Sequence, residues 1–562
     1  MTRPSAAKLL FASLRRVLLS VCFMCLFAPL RAQIVGTNVD MVTGTQWPGG
    51  DPFLQRQNQP SMAISSRNPL HMFAGANDYR TVDLPGVSGE VEPTGDAWFG
   101  LYKSFDGGQT WTSTLVPGYP QDKSQQGLVS PLKGLGAGAD PDVRAGTNGM
   151  FYYSGLAFNR QSDGASKVFV ASFIDDNNFE GGDTIRYLGT SIVQSSPGIN
   201  FLDKPSIAVD IPRQSAKNCT ISGPQGRQSF PGGSVYVAYA QVTGSGTQIQ
   251  FASSTDCGGS WTNPRQISGP APINQGCAIA VDPNTGFVYV VWRVFASKGQ
   301  PDALMYAVSH NQGQNFTRPT LIANINPFDQ GDTAQAFRTD AYPAIAVDPS
   351  GNLNVAWPQL GVGPGGDARI ILVTGKPGPA PPLQFSAPVI IDQSPGRGHQ
   401  IMPAMAFSAG KLTVAWYDLR DNDLSATYTP LGGGQYSSML MNDGGAPDFP
   451  MFGMFIQDPA PPYSTDSRRQ TMDVRAAQAN AGFPPSFLPS VQVSQYAFGS
   501  AADNPTVIQQ LEVNAPNLPM FMSGTLPFMG DRIDVAGPTF IANHDGTWRY
   551  NNLPTRPGFY TC

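Results

Sequence analysis

A short apolar segment recurs along the chain and limits the folds open to it. Each copy begins with a small residue or proline and continues with alternating apolar residues, as in PSIAVD from Pro205 and PAIAVD from Pro343. The copies start at residues 60, 141, 205, 277, 343, 403 and 531. The spacing is about 65 residues, except for a final interval nearly twice as long. Repetition of this kind is typical of architectures in which similar units pack side by side around a shared core.

Each unit contains further strands. In DPNTGFVYVVW, which ends at Trp292, and in DPSGNLNVAW, which ends at Trp357, Asp-Pro and Gly supply a turn before a second alternating segment. The rest of the unit has room for two more strands, so we predict a four-stranded antiparallel meander. One such sheet cannot bury both faces, whereas several sheets set around an axis can. We therefore predict an all-β chain folded as a β-propeller.

The number of blades depends on how the last unit is counted. Seven units predict seven blades, with six or eight as alternatives. The unit from Asp531 has room for only part of a blade, and the segment IVGTNVDMVTG, from Ile34 to Gly44, could supply its outer strand and close the ring. An eighth unit could instead lie in the long interval. That interval contains a stretch rich in Pro, Gly, Met and Phe, which we predict to be a loop insertion near 423–467.

The N-terminus predicts export. Basic residues precede the apolar run VLLSVCFMCLFAPL, which ends at Leu30, and cleavage is expected near Ala32. The predicted organisation is a signal peptide at 1–32 and one propeller domain at 33–562. No apolar run in the rest of the chain is long enough to span a bilayer. We expect a secreted, periplasmic or otherwise extracellular protein.

The charge balance limits the partners. The chain has a net charge of −5, and residues 1–32 hold five basic residues and no acidic one. The mature chain would carry 30 basic and 40 acidic residues, a net charge of −10. This balance argues against nucleic acid and anionic membranes as partners. Four cysteines would remain, and in an oxidising compartment they could form two disulfides in any of three connectivities: Cys219, Cys257, Cys277 and Cys562.

An octet with Ser, Asp, Gly and an aromatic residue at fixed spacing occurs in three units. It reads SFDGGQTW from Ser104, STDCGGSW from Ser254 and, with Asn for Asp, SHNQGQNF from Ser309. We expect a hairpin turn in which Asp accepts backbone N–H bonds and Gly supplies a positive φ. The aromatic residue would fill the space between neighbouring sheets. The octet is therefore predicted to be structural and to lie away from the binding face.

These octets match the Asp-box, or bacterial neuraminidase repeat. Together with the strand units they make the chain resemble the sialidase superfamily of propellers over most of the mature sequence. The resemblance implies a sialidase-like exo-glycosidase that acts on terminal acidic sugars, with a glycan or glycoconjugate as partner and no cofactor. Secreted propellers without catalytic activity carry the same boxes. A non-catalytic glycan- or protein-binding propeller is therefore the alternative, and a rigid scaffold is a third reading.

Charged and other polar residues concentrate where strand 1 of a blade begins and strand 2 ends, on the face that surrounds the channel. At the entries these are Asp140, Asp142, Arg144, Asp203, Lys204, Arg338, Asp340, His399, Gln400, Asp531, Arg532 and Asp534. At the exits they are Asn77, Asp78, Tyr79, Arg80, Arg160, Arg293, Gln359, Tyr417, Asp418, Arg420 and Asp421. A mouth rich in Arg and Asp suits an anionic or polyhydroxylated ligand.

The resemblance also implies roles for some of these residues. Sialidases clamp a sugar carboxylate with three Arg, use a Tyr backed by Glu as nucleophile, and use Asp as general acid and base. The implied substrate-binding residues are Arg80, Arg338, Arg420, Arg532 and Asp531. The implied catalytic residues are Tyr79 or Tyr417 as nucleophile and Asp78 or Asp140 as acid.

The sequence departs from that pattern in two ways. The Phe/Tyr-Arg-Ile-Pro motif that carries the family's first Arg is absent, and no Glu stands next to a candidate Tyr. NDYR from Asn77 and YDLR from Tyr417 occupy equivalent places after strand 2, which favours structural ties as the alternative. No metal site is predicted. Asp418, Asp421 and Asp423 could bind Ca²⁺ through oxygen ligands, which stays the alternative, but their spacing fits no recognised Ca²⁺ loop.

Overall fold

The computed structural model describes most of the chain. The described residues are 35–52, 55, 57–82, 96–160, 164–177, 184–198, 200–213, 216–223, 226–297, 299–329, 339–377, 382–396, 398–420, 426–432, 435–441, 447–448, 473–494, 500–501, 504–508, 530–553 and 560–561. The predicted signal peptide, Arg338, Asp421, Asp423 and Cys562 lie outside them. The chain divides into a short unit, Met1–Thr37, and a main unit, Asn38–Cys562. In the short unit only residues 35–37 are described, and they form no strand.

The described strands form six antiparallel sheets that follow one another along the chain and that we call blades 1 to 6. Blade 1 contains β1 (Gln57–Ile64), β2 (Met72–Asp78), β3 (Trp98–Ser104) and β4 (Thr112–Leu115). Blade 2 contains β5 (Ala137–Ala145), β6 (Met150–Phe158), β7 (Ser166–Asp175) and β8 (Ile185–Ser196). Blade 3 contains β9 (Phe201–Val209), β12 (Val235–Thr243), β13 (Gly246–Ser254) and β14 (Arg265–Gln266), with a separate hairpin β10 (Asn218–Gly223) and β11 (Gly226–Pro231) after β9.

The other three blades repeat the order. Blade 4 contains β15 (Asn274–Val281), β16 (Val288–Val294), β17 (Ala303–Ser309) and β18 (Thr320–Asn324). Blade 5 contains β19 (Ala344–Val347), β20 (Leu353–Gln359), β21 (Arg369–Lys376), β22 (Gln384–Phe385) and β23 (Val389–Ile390). Blade 6 contains β24 (Gln400–Ser408), β25 (Lys411–Asp418), β29 (Asp473–Ala479) and β30 (Val491–Gln492).

Short elements complete the described structure. They are β26 (Ala426–Gly432), β27 (Gln435–Met441), β28 (Pro447–Asp448), β31 (Ser500–Ala501), β32 (Asn504–Ile508), β33 (Val535–Ala536), β34 (Phe540–Ala542), β35 (Trp548–Tyr550), β36 (Tyr560–Thr561), helix α1 (Gln125–Leu128) and 3-10 turns at Tyr79–Thr81, Thr147–Gly149 and Pro364–Gly366. Strands β26 to β28 form a sheet of their own inside the predicted insertion at 423–467, which otherwise stays a prediction. Among described residues, no helix has the length and apolar character needed to cross a membrane.

The first strands of the blades form the inner wall of a ring. In chain order β1, β5, β9, β15, β19 and β24 each contact the next, and β33 contacts both β24 and β1. The predicted β-propeller is therefore confirmed, and the described residues give it six blades, the lower of the alternatives to seven. The seventh repeat unit, from Asp531, does not add a four-stranded sheet among them.

Most of the apolar core lies between neighbouring blades. Separate clusters join blades 1 and 2, 2 and 3, 3 and 4, 4 and 5, and 5 and 6. The tryptophans that end the VVW and VAW segments, Trp292, Trp357 and Trp416, are at most 1% exposed. Each indole Nε1 donates a hydrogen bond, to Asn274, Gln359 and Asp418 respectively. The repeat therefore places a large side chain with a satisfied polar atom at each of three blade interfaces.

The seam between blades 6 and 1 is filled by the C-terminal segment 530–536. Ile533 and Val535 pack with alanines of β24, β25 and β29, and Ala536 packs with the apolar face of blade 1. Asp534 Oδ2 accepts hydrogen bonds from Ser61 Oγ at 2.7 Å and from the backbone N–H of Met62 at 3.2 Å. The seventh repeat unit thus closes the ring as an inserted segment and not as a blade.

The chain continues from the seam into a hairpin at the opposite end of the channel. Phe540 and Tyr550 pack against the cluster between blades 2 and 3, and Tyr550 Oη donates to Asp210 Oδ1 at 2.9 Å. The backbone oxygen of Asn551 accepts from the N–H of Ala409, just after β24. The C-terminal hairpin therefore links blades on different sides of the ring.

The N-terminal part of the main unit also reaches the seam. Asn38 Nδ2 donates to the carbonyl of Val493, beside the outer strand of blade 6, at 3.0 Å. Met41 and Val42 pack on the cluster of blade 1. The expectation that this segment supplies an outer strand is wrong for residues 35–52, which form no strand. It reaches the seam through side chains instead.

The Asp-boxes lie on the turns between the third and fourth strands, as expected. Asp106 Oδ1 accepts from the backbone N–H groups of Gln109 and Thr110, both at 2.9 Å. Gly108 has a φ of 87°. In the third box, Asn311 Oδ1 accepts one backbone bond, from Asn315 at 2.9 Å. The box serine also holds the turn, since Ser104 Oγ accepts from the backbone N–H of Gly108 at 2.9 Å.

The box aromatics of blades 3 and 4 fill the gap to the preceding blade. Trp261 Nε1 donates to Ser191 Oγ of blade 2 at 2.9 Å, and Phe316 meets Phe251 of blade 3 with ring centres 4.7 Å apart. Both contacts cross a blade interface. The boxes therefore stabilise the ring and not only their own turns.

Removal of the first Asp-box carboxylate should destabilise the protein. We expect Asp106→Ala to lower the free energy of unfolding by about 1–2 kcal/mol, because two backbone N–H groups lose their acceptor. Asp106→Asn should cost clearly less, since Asn311 makes an equivalent bond in the third box. Urea denaturation of both variants measures this. Equal losses would show that the charge, and not the acceptor geometry, holds the turn.

Loss of the seam carboxylate should also be costly. Asp534→Ala removes the acceptor of Ser61 and Met62 and one partner of Arg144. We expect the free energy of unfolding to fall by about 2 kcal/mol. This loss is smaller than is usual when a buried ion pair is broken, because the Arg144 side chain is 38% exposed. Asp545→Ala, on the exposed turn of the C-terminal hairpin, is the control and should have a much smaller effect. Similar denaturation midpoints for Asp534→Ala and the unchanged protein would contradict the role of the seam.

Candidate functional site at the channel mouth

Five of the six first strands share a backbone irregularity near their entry ends. Pairing with the second strand shifts register there, and a residue beside the shift has a φ between 49° and 64°. These residues are Gln59, Asp140, Lys204, Gly276 and Met402. A bulge of this kind re-aims a side chain, and a non-glycine residue at positive φ is strained. We call this rim, with the residues that contact it, the channel mouth.

One ammonium group and three carboxyl groups interact at the channel mouth. Lys204 Nζ forms an ion pair with Asp531 Oδ2, and their side chains are 13% and 5% exposed. Asp203 interacts electrostatically with Lys204, Asp140 and Asp531. It also accepts a hydrogen bond from Gln275 Nε2. Two predicted site residues, Asp140 and Asp531, are therefore brought to one place by segments far apart in the sequence.

The crowding changes the acidity of Asp203. Burial has the largest effect, and the neighbouring carboxyls of Asp140 and Asp531 act in the same direction, against the opposing effects of Lys204 and the Gln275 hydrogen bond. Together these raise the pKa of Asp203 to about 6. A carboxyl group with this pKa exchanges a proton close to neutral pH, which is a property of catalytic acids and bases.

The C-terminal segment also carries Arg532 to the channel mouth. Its guanidinium donates to the carbonyls of Pro141 at 2.9 Å and Pro205 at 3.3 Å, the residues that follow Asp140 and Lys204. The nearest carboxylate oxygen, of Asp142, is 3.9 Å away. Arg532 therefore ties the segment to the first strands of blades 2 and 3.

Arg144 breaks the repeat deeper in the channel. At its position the other five first strands carry alanine, namely Ala63, Ala208, Ala280, Ala346 and Ala406. Arg144 forms ion pairs with Asp142 and Asp534, both at 2.8 Å. Burial opposes its charge and the two carboxylates favour it, and the net effect raises its pKa. The ion pairs hold the C-terminal segment 530–536 against blade 2.

Two amides at the channel mouth join blade 1 to blade 2. Asn77 Nδ2 donates to Gln59 Oε1 at 2.9 Å, and Asn77 Oδ1 accepts from the backbone N–H of Asp140 at 3.0 Å. Gln59 is 1% exposed, and among the described residues its Nε2 has no hydrogen-bond partner. A buried amide donor without an acceptor is costly in a stable core and is common at ligand sites.

An aromatic ring borders the same cluster. The Lys204 ammonium lies 5.5 Å from the centre of the Tyr342 ring. Gly276 contacts this ring so closely that a Cβ there would lie 1.9 Å from Tyr342 Cδ1. Together with its φ of 64°, this contact explains why blade 4 carries glycine at the bulge. Partly exposed Tyr342 gives the channel mouth a flat apolar side.

The other predicted arginines lie in local ties. The Nε atom of Arg80 donates to Asp78 Oδ1 and Oδ2, both at 2.9 Å, and its outer nitrogens contact Pro48, Ser113 and Thr114. Both Arg80 and Asp78 are fully buried. Their contacts run toward the outer strand of blade 1 and away from the channel.

The second tie repeats this geometry in blade 6. Arg420 Nε donates to Asp418 Oδ1 at 2.8 Å, and its backbone N–H donates to the same oxygen at 3.0 Å. The Arg420 guanidinium also pairs with Asp392. The equivalence of the two ties is what the structural alternative predicts for NDYR and YDLR. Ligand-binding roles for Arg80 and Arg420 stay predictions.

The predicted nucleophiles lie beside these ties. Tyr79 is 6% exposed, and its hydroxyl accepts a hydrogen bond from Asn58 Nδ2 at 3.3 Å. Tyr417 packs beside Ile401 and Leu419. These contacts lie beside the two ties, and the catalytic role of both tyrosines stays a prediction.

Cysteines and metal ligands complete the site description. Cys219 and Cys257 form a disulfide that ties the β10–β11 hairpin to the second Asp-box. Cys277 is buried and forms no disulfide with a described residue. Among described residues, no group of three His, Cys, Asp or Glu side chains could hold a metal ion.

The burial of Asp203 predicts a pH effect on stability. Its folded-state pKa of about 6 lies above the usual 3.8, so the folded state holds the proton more tightly. Stability from this group is therefore highest below pH 4 and falls as the pH rises to 6. Asp203→Asn removes this fall, and we expect its melting temperature to exceed that of the unchanged protein above pH 6 and to converge with it near pH 4.

The control for this effect has the opposite sign. Hydrogen bonds from Thr547 lower the pKa of exposed Asp545, so Asp545→Asn should bring no gain at any pH. Thermal unfolding from pH 4 to pH 8 compares the variants. A constant offset between Asp203→Asn and the unchanged protein would contradict the raised pKa.

Comparison with known proteins gives weak likenesses only. No family model and no curated protein matches the sequence. Similar solved structures include an α-L-arabinofuranosidase of Fusarium graminearum with arabinobiose, at 14% identity over 68% of this chain and 92% of the other, with a TM-score of 0.38. An α-L-arabinanase of Penicillium chrysogenum matches at 13% identity over 68% and 94%, with a TM-score of 0.37. The intramolecular trans-sialidase of Ruminococcus gnavus matches at 12% identity over 67% and 94%, also with a TM-score of 0.37. Likenesses this distant say nothing of what this chain binds, and the sialidase-like propeller fold rests on its own blades and Asp-boxes.

Proposed function

We propose that the protein is a secreted propeller that binds the end of a glycan at the channel mouth and hydrolyses its terminal glycosidic bond. The observation that carries the proposal is the buried charge cluster at the channel mouth, in which Asp203 interacts with Lys204, Asp140 and Asp531 and has its pKa raised to about 6. Glycoside hydrolysis commonly uses two carboxyl groups, of which one must be protonated near the working pH. Asp203 is the proposed acid, and Asp140 is the proposed partner carboxyl.

The surrounding groups suit a sugar. Carboxylate oxygens accept hydrogen bonds from hydroxyls, and the amide of Gln275 lies in the same cluster. Gln59 offers a donor that no described residue uses, and Tyr342 offers a ring face for the apolar side of a sugar. The first strands hold these side chains on a rigid wall, which is the requirement for orienting a substrate.

Reaction at this site would depend on proton transfer from Asp203. Its protonated form would give a proton to the glycosidic oxygen as the bond to the anomeric carbon breaks. The leaving sugar alcohol carries that proton away. The oxygen of a water molecule bonds to the anomeric carbon, and the proton that the water loses passes to the proposed partner carboxyl, Asp140. The implied nucleophiles Tyr79 and Tyr417 stay alternatives to a carboxyl partner.

The proposal is tested with Asp203→Asn in the purified full-length protein. A panel of fluorogenic glycosides at pH 4–8 should identify a substrate whose kcat/KM falls above pH 6. In Asp203→Asn we expect a loss of about 10²–10⁴-fold on that substrate. The loss should be much smaller with a dinitrophenyl leaving group, which needs no proton. Asp545→Asn, at the other end of the channel, is the matched control and should keep full activity.

The outcomes separate the two parts of the proposal. Glycan binding without turnover of any glycoside would overturn catalysis and leave a binding propeller. Neither binding on a glycan array nor turnover would overturn both parts. Equal loss in Asp203→Asn with activated and ordinary leaving groups would contradict the role of Asp203 as acid.

A further inference from the structure

The C-terminal segment bears on which sugars the channel mouth accepts. We propose that the channel mouth selects uncharged sugars over carboxylated ones, and that Asp531 is the residue that sets this preference. The inference rests on the proposed function, because it concerns the ligand of the same site. It also departs from the acidic sugar that the sialidase resemblance implies.

The positive charge of Lys204 is already paired within the protein. Its ammonium is paired with Asp531, and both side chains are largely buried. Asp203 interacts with the same ammonium. A sugar carboxylate would have to compete with two carboxyl groups that the protein already holds in place, and it would pay its own desolvation cost. Lys204 therefore acts as an internal counter-ion in the folded protein.

The described arginines near the channel mouth bind protein groups. The outer nitrogens of Arg532 donate to the carbonyls of Pro141 and Pro205. Arg80 and Arg420 are held in the ties of blades 1 and 6. No clamp of three guanidinium groups forms among the described residues at the channel mouth. An incoming carboxylate would meet Asp140, Asp203 and Asp531, while the described hydrogen bonds of these arginines are all to protein groups.

The carboxyl cluster favours the hydroxyl groups of a neutral sugar. A hydroxyl group donates a hydrogen bond to a carboxylate and adds no charge, so a neutral sugar meets acceptors and no repulsion. The unused donor of Gln59 is buried beside Gly530, whose Cβ position would lie 2.6 Å from Gln59 Cγ. It can serve a ring or hydroxyl oxygen without any countercharge. This donor is a sign of ligand binding that is independent of the acidic cluster.

Asp531 is the member of the cluster whose replacement should increase the affinity for a carboxylated sugar. It is carried by the inserted C-terminal segment, whereas Asp140 and Asp203 belong to the first strands of the blades. Asp531→Asn keeps the size of the side chain and removes its charge. Lys204 then becomes available to a carboxylate on the ligand, and one repulsive charge disappears.

The test compares matched ligands that differ in one group. Oligosaccharides ending in galactose or galacturonic acid, and in glucose or glucuronic acid, are measured against the full-length protein by calorimetry and on an array. We expect the unchanged protein to bind the uncharged member of at least one pair roughly tenfold more tightly or better, as one repulsive charge at a partly hydrated site requires. The preference should weaken as salt is raised.

The variants assign the preference to one residue. In Asp531→Asn the ratio of acidic to neutral affinity should rise about tenfold or more. The double variant Lys204→Met with Asp531→Asn should lose most of that rise, since the freed ammonium is gone. Melting temperatures of both variants establish that they fold, and Asp534→Asn, which keeps the Lys204 pair, is the control in the same segment.

The results distinguish this inference from the proposed function. Equal or tighter binding of the acidic member by the unchanged protein would overturn the selectivity and leave the glycan site standing. A neutral preference that does not change in Asp531→Asn would overturn the role of Asp531. Failure to bind any sugar on the array would overturn the proposed function, and the inference with it.

Discussion

Closure of the ring is the constraint on which the rest of the molecule depends. A four-stranded sheet buries both faces only between two neighbours, and a row of six leaves two faces exposed until its ends meet. Among the described residues each blade is built from strands of its own repeat, and no strand of theirs passes between the first and last blades. The apolar side chains of segment 530–536 fill the gap instead. Closure is thus achieved by insertion and by side-chain packing.

The same insertion builds the candidate site. Ile533 and Val535 face the seam, while Asp531, Arg532 and Asp534 face the inner wall. Alternation along an extended segment places Ile533 and Val535 on one side and Arg532 and Asp534 on the other, while Asp531 precedes this alternation and pairs with Lys204. One short stretch therefore stabilises the ring and completes the charge cluster at the channel mouth. Structure and proposed chemistry are coupled at this point.

Much of the fold could be predicted because the local periodicity of the sequence specifies its strands and turns. The alternating segments, the Asp-Pro turns and the Asp-boxes each specify a strand or a turn from a few neighbouring residues, and the structure has them where they were expected. Seven blades were favoured because DRIDVA resembles the start of a blade. The charged residues of DRIDVA distinguish it from the alanine-rich copies. Its aspartates pair with Arg144 and Lys204, and no local sequence pattern connects those two residues with DRIDVA.

The site was only partly predictable for the same reason. Asp140, Asp531 and Arg532 were assigned by repeat position, and Asp203 and Lys204 were recognised only as entry residues. Gln59 and Tyr342 were missed, although Gln59 directly precedes the proline that opens its repeat, as Asp140, Lys204 and Met402 do. That shared place marks the strained bulge. The Asp78–Arg80 and Asp418–Arg420 ties differ from the site residues in this respect. Their motifs repeat in the sequence, and in the structure the two motifs make equivalent contacts.

The position of the inserted segment has a consequence for biogenesis. Segment 530–536 is synthesised after all six blades, so an emerging chain carries two unsatisfied faces until this segment follows. If the protein is exported as proposed, the ring can close only after residues 530–536 have crossed the membrane. A stop codon placed before Gly530 would leave all six blades encoded and the ring open.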